Sequence, residues 1–266
     1  MTSMRGPGPD WNIQTGFLNP VADAGENARR IALHSFPTTG HLLWGSSFDE
    51  NLAELSNIDC SGTGYIQWTD EKTNTGPGSI KMVTGSNNND YALFNRHASP
   101  FSFNKLGVEL YVYPKQIGNG NATGEFRIYI NENFPDKNLF INSGIKITRE
   151  AGPVTKLYYV NGFGSGAPWI DTGINIGGFL SGNGDAFSYT WFRRIKFVVD
   201  PTKNPPMYSY LEIDGVRYDL SSIPSNYQAS TMPVPQLLGT VELMNTNVYG
   251  PWTVYVDDMN ITDVEP

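Results

Sequence analysis

The chain has 266 residues, a formal charge of -8 and a pI near 4.9, with 17% charged residues, 13% aromatics, 28 Gly and 18 Pro. That acidic balance argues against a sequence-independent grip on nucleic acid or an anionic membrane surface, both of which need clustered Lys and Arg. No stretch approaches the roughly 18 apolar residues of a membrane helix, and the single cysteine, Cys60, rules out an intrachain disulfide.

Residues 1–41 differ from the rest: they carry Pro7, Pro9, Pro20 and Pro37, little alternation and one short helix-compatible run, Ala24 to Leu33. They read as an extended N-terminal arm that buries too little to order itself and frays unless something holds it. The expected partners are other protein subunits, in a homo-oligomer or larger assembly. The first residues lack the apolar run of a Sec signal peptide, so the expected location is the cytoplasm before assembly and then a virion or extracellular surface.

From Leu42 onward short runs of period-2 alternation are punctuated by Gly, Pro, Asn and Asp, which predicts an antiparallel all-β sandwich over 42–266. Val108 to Tyr113 alternates Val, Leu, Val with Glu, Tyr, Tyr, giving a core face and a half-wet face. Further strands are predicted at Glu125–Asn131, Gly144–Thr148, Lys156–Val160, Arg193–Asp200, Val241–Met244 and Trp252–Ile261. Tyr208 to Leu220 predicts a hairpin turning at Asp214-Gly215, a pair suited to the positive φ angles of a type I′ turn.

Trp191 to Pro201, followed by the hairpin through Leu220, resembles the central strands of concanavalin A-like, laminin-G-type jelly rolls. The closing run Val254 to Ile261 resembles their last strand, and Leu42 to Glu50 resembles the opening strand that pairs with it. The resemblance implies a two-sheet jelly-roll sandwich. It also implies that Asp49, Glu50, Asp257 and Asp258 are candidate ligands of a structural calcium, since such an ion often ties first strand to last. The superfold hosts lectins, glycanases, lyases and viral surface proteins alike, so function must come from the site.

Catalytic sets are incomplete in the sequence. Glu212-Ile213-Asp214 matches the first half of a β-glucanase motif, but Gly215-Val216-Arg217 follows with no third carboxylate. His97 beside Arg96 is the one sandwich histidine available for lyase chemistry, and it also reads as a surface loop residue. Gly162 to Gly166 lacks the Lys-Ser/Thr of a phosphate loop. Exposed aromatics stack on sugar rings, and Trp68, Trp169, Tyr158, Tyr159 and Tyr249 lie in or beside Gly/Asn-rich loops as candidate glycan contacts. The sequence therefore predicts a non-enzymatic structural or interaction protein, such as a capsid decoration or tail component anchored by its arm. The alternative is a carbohydrate-binding module or lectin, and after it a polysaccharide lyase or glycoside hydrolase.

Overall fold

The computed structural model describes residues 40–48, 51–98, 103–115, 124–149, 155–164, 166–176, 192–230, 232–246 and 251–266. Most of the arm, residues 1–39, lies outside them, as do Asp49, Glu50 and Tyr249.

Sixteen strands follow one another with only a single 3-10 turn, Pro135–Lys137, among the described residues. They are β1 (His41–Ser46), β2 (Asn57–Cys60), β3 (Tyr65–Thr69), β4 (Ser79–Val83), β5 (Tyr91–Ala98), β6 (Leu106–Lys115), β7 (Gly124–Phe134) and β8 (Leu139–Arg149). The second half adds β9 (Thr155–Val160), β10 (Trp169–Asn175), β11 (Arg193–Asp200), β12 (Met207–Ile213), β13 (Val216–Asp219), β14 (Asn226–Gln228), β15 (Gln236–Asn245) and β16 (Thr253–Asp263). One sheet runs β13-β12-β11-β6-β16-β4-β3 with β1 also on β16, and the other runs β10-β9-β8-β7-β15-β5-β2 with β14 on β8. Every pairing is antiparallel. This is the expected jelly-roll sandwich.

The alternation explains the layers. On β7, Phe126, Ile128 and Ile130 are buried between the sheets while Arg127, Tyr129 and Asn131 point the other way and stay half-buried. Val108, Leu110 and Val112 of β6 meet them from the opposite sheet, with Val241 and Leu243 of β15 and Val254 and Val256 of β16 in the same core. Burying one such aliphatic side chain contributes about 1.5–3 kcal/mol, so the core faces fix the register of each strand. Tyr208 is fully buried and spans the layers: its hydroxyl bonds the backbone of Gly144 on the other sheet at 3.0 Å.

First strand and last strand do pair, Leu42 with Thr262 and Trp44 with Ile261. One edge of β16 is divided, β4 taking Thr253–Val256 and β1 taking Met259–Asp263. The handover falls at Asp257 and Asp258, where the register against β6 shifts and Asp258 has φ 48°. The hairpin turns as expected, with Asp214 at φ 49° and Gly215 at φ 83° and Ile213 opposite Val216.

One expectation is corrected. Of the face of β6 expected to be half-wet, Tyr113 is half-buried, but Glu109 is 2% exposed and Tyr111 7%. The reason is an ion network on that face, where Arg194 bonds Glu109 at 2.9 Å and Glu212 at 2.5 Å, and Lys196 bonds Glu265 at 2.8 Å. A charge can be buried when an opposite charge and its hydrogen bonds go with it.

Glu132 on β7 has no such compensation. It sits on the core side between Leu237 and Ile141, fully buried, with neither carboxylate oxygen hydrogen-bonded. Burial, and next the nearby Asp200, hold its carboxyl well above the usual carboxylate range. A carboxyl with a raised folded-state pKa is neutral in the fold while it is already ionised in the unfolded chain. Its contribution to stability is therefore fully present below the unfolded pKa of about 4.3 and is lost as pH rises toward the folded value, at up to about 1.4 kcal/mol per pH unit. Glu132→Gln is expected to melt close to the parent at pH 4 and several degrees above it at pH 8, at about 2–4 °C per kcal/mol. Thermal melts of both proteins across that range check it, and parallel curves would refute a neutral Glu132.

Candidate functional site

The polar face of the β7 sheet carries the site. Residues directly opposite one another in an antiparallel pair project on the same side, and one transverse row crosses seven strands: Asp59, Leu93, Glu242, Arg127, Lys146, Tyr158 and Asp171. The adjacent row runs Asn57, Asn95, Thr240, Tyr129 and Gly144. Gly144 is needed there, because a Cβ on it would stand 2.6 Å from the Tyr129 ring. Above this floor lies a groove of about 520 Å³, walled by Phe140, Phe163, Ala167 and Trp169 and edged by Asn131, Asn142 and Tyr91. That size lies within the roughly 300–1,000 Å³ typical of ligand pockets.

Arg127 is the hub. Its Nε donates to Glu125 at 2.9 Å, its Nη1 to both oxygens of Glu242 at 3.2 and 3.3 Å, and its Nη2 to Glu125 and to the Met244 sulfur. Lys146 closes the other side of Glu125 at 2.8 Å. Burial alone would push the Arg127 guanidinium down, but Glu242 and Glu125 outweigh it and hold the group above its ordinary value. The Tyr129 hydroxyl donates to Glu242 at 3.2 Å, and burial followed by Glu242 pushes its pKa up, so it stays protonated. Tyr91 donates to Asp59 at 2.8 Å, and that hydrogen bond, then burial, raises it as well. Glu242 and Tyr129 thus form a hydrogen-bonded carboxylate and phenol pair on the floor.

Trp169 ties this floor to its wall. Its ring lies 5.8 Å from Tyr129, with Arg127 5.3 Å and Lys146 5.1 Å from its centroid. Lys146 also sits 4.7 Å over Tyr158. Asn95 Oδ1, beside the floor, is buried with no hydrogen-bond partner.

Of the aromatic candidates named from sequence, Trp169 lines the groove and Tyr158 flanks it through Lys146. Tyr159 takes the opposite face of β9, where it meets the buried Tyr208 edge to face at 5.9 Å. Trp68 belongs to the other sheet, its indole nitrogen donating to the Phe48 carbonyl at 2.8 Å while its ring covers Gly78. Tyr249 lies outside the described residues. Arg96 and His97 are neighbours on β5 and so face opposite ways: Arg96 stacks on Trp44 at 5.2 Å and His97 is exposed. Glu125, Arg127, Tyr129, Asn131, Lys146 and Glu242 were not identified from sequence. The signal was the polar half of the Glu125 to Asn131 alternation, and it needed the cross-strand register to become a site.

For the calcium expectation, Asp257 and Asp258 are both buried at the β16 bulge, but the 74–75 loop already serves them. Asp257 accepts from the backbone of Asn74 at 2.7 Å, Thr75 at 3.1 Å and Asp258 at 2.8 Å; Asp258 accepts from Asn74 Nδ2 at 2.8 Å and Thr75 Oγ1 at 2.5 Å. Burial and then the adjacent Asp258 push Asp257 well above the usual carboxylate range. Calcium takes six to eight oxygens. Among the described residues no group of three or more His, Cys, Asp and Glu is placed to hold a metal, and Asp49 and Glu50 lie outside them. The described donors alone do not make a calcium site.

No family model matches the chain, and no curated protein is similar to it in sequence. Solved structures similar to it include an endo-β-1,4-glucuronan lyase from the fungus Trichoderma reesei, at 12% identity and a TM-score of 0.49 over 86% of this chain and 95% of that one. An endo-1,3-β-glucanase from Streptomyces sioyaensis matches at 12% and 0.47 over 87% and 99%. A legume lectin-like domain from Entamoeba histolytica matches at 10% and 0.43 over 78% and 90%. At such identities the likeness says nothing of this chain's own chemistry. The expectation of a non-enzymatic protein is withdrawn, since two of these similar structures are enzymes by name; that name is theirs and does not make this chain an enzyme. The titratable groups of the polar face come from separate strands, so no linear motif brings them together in the sequence.

Arg127 can be tested for its part in holding this floor. Its partners' side chains are only 10% and 9% exposed, so Arg127→Met, which leaves Glu242 unpaired beside Glu125, is expected to cost about 3 kcal/mol. Arg127→Met with Glu242→Gln should recover part of the loss, as a double-mutant cycle by chemical denaturation would show; strict additivity would mean the pair does not interact.

Proposed function

We propose that this chain binds a carbohydrate chain in the groove over the β7 sheet. The observation that carries the reading is the combination on one face of an aromatic wall, Trp169 against Tyr129, with amides at Asn95, Asn131 and Asn142. Sugars present C–H faces that stack on rings and hydroxyls that both donate and accept, so a site for them joins ring and amide in this way. The site sits on a sheet, where side-chain positions are held by the core beneath. Product analysis of bound polysaccharides belongs with any binding measurement.

A virion role rests on the arm, whose residues 1–39 lie outside the described ones, and it draws no support from the groove. Affinity electrophoresis in gels containing polysaccharide separates the candidates. Trp169→Ala is expected to weaken binding by about tenfold, or about 1.4 kcal/mol, whereas Trp68→Ala on the other sheet is expected to leave it unchanged. Equal retardation of parent and Trp169→Ala by every polymer bound would place binding elsewhere.

A further inference from the structure

Resting on the reading of the groove as a glycan site, we infer that it selects uncharged glycan chains and rejects uronate or sulfated ones. Among the described residues that line the groove Arg127 is the one cation, and all three of its side-chain nitrogens are engaged, by Glu125, Glu242 and the Met244 sulfur. Lys146, next in the row, is held by Glu125 at 2.8 Å. Three carboxylates, Asp59, Glu125 and Glu242, thus share the floor with two cations. At the rim, Lys156 is paired with Asp171 at 3.3 Å.

An anionic sugar would meet excess negative charge. To reach Arg127 its carboxylate would have to displace Glu125 or Glu242, leaving that acid buried beside a like charge, and a half-desolvated site amplifies the cost. A neutral sugar asks for nothing of the kind. Its hydroxyls can donate to Asp59 and accept from the amides of Asn131 and Asn142, while its apolar face lies on Trp169. The two cations turn inward instead, one on each side of Glu125 and both near the Trp169 ring, where they brace the stacking wall.

The test is affinity electrophoresis and calorimetry with the full chain against neutral polymers (laminarin, hydroxyethylcellulose, glucomannan) and uronate polymers (alginate, polygalacturonate, glucuronan). Each is run at about 20 mM and about 300 mM salt, where screening lengths differ severalfold. Binding to at least one neutral polymer, changed by less than about twofold by salt, with no uronate bound at low salt, is the expected result. Uronate binding that weakens with salt would overturn the selectivity and leave the glycan reading standing, whereas binding of neither class would overturn both. Glu125→Gln with Glu242→Gln releases Arg127 and Lys146 and is expected to gain uronate binding at low salt. A folded double variant that still ignores uronates would show that carboxylate pairing does not set the selectivity. Should that variant not fold, the parent's polymer panel decides alone.

Discussion

Everything in this protein depends on the two-residue period of β7 and its neighbours. Phe126, Ile128 and Ile130 must enter the core, and that requirement alone sends Glu125, Arg127, Tyr129 and Asn131 to the opposite face. The same holds for β15, where Val241 and Leu243 inside place Thr240, Glu242 and Met244 outside. A slip of one residue would exchange the two faces and put Arg127 and Glu242 into the hydrocarbon interior. The core therefore maintains the groove, and its aliphatic side chains act as the site's foundation without touching any ligand.

The two sheets treat charge differently. On the sheet containing β16, ionic groups such as Glu109, Lys196 and Glu265 are almost wholly buried and mutually paired. On the sheet containing β7, Glu125, Lys146 and Glu242 are buried as well, but with the half-buried Arg127 they pair along the floor of a groove. Pairing in the first case makes burial tolerable, and in the second it leaves a floor that is polar yet offers no unspent cation. Glu132 and the Asp257-Asp258 pair are exceptions in the interior, the former without any hydrogen bond and the latter sustained by the 74–75 loop and by a backbone bulge.

Much of the fold was legible in residue order. The hairpin at Asp214-Gly215 follows from two positions that must take positive φ, and Asp-Gly supplies them at low cost. The pairing of Leu42 with Thr262 was accessible through the jelly-roll resemblance. The site was less legible. Trp169 was named as an aromatic beside a Gly-rich loop, but Tyr159 was named for the same reason and faces the core, because adjacent strand residues point oppositely and a loop-side position does not say which one turns inward. Arg96 and His97 failed as a pair for that reason too.

The sequence by itself determined the all-β class, the alternation of its clearest strands such as β6, β7 and β11, and the acidic, charge-poor character of the chain, since these are local properties of alternation and composition. Only the tertiary structure decided which outward faces meet. Asp59 and Glu242 lie 183 positions apart and Lys146 between them in number, yet cross-strand register sets all three in one row with Arg127. Register is chosen by the packing of the whole core, a cooperative property that no single strand carries. The groove, and the acidic, mutually paired floor from which its ligand is inferred, are products of that choice.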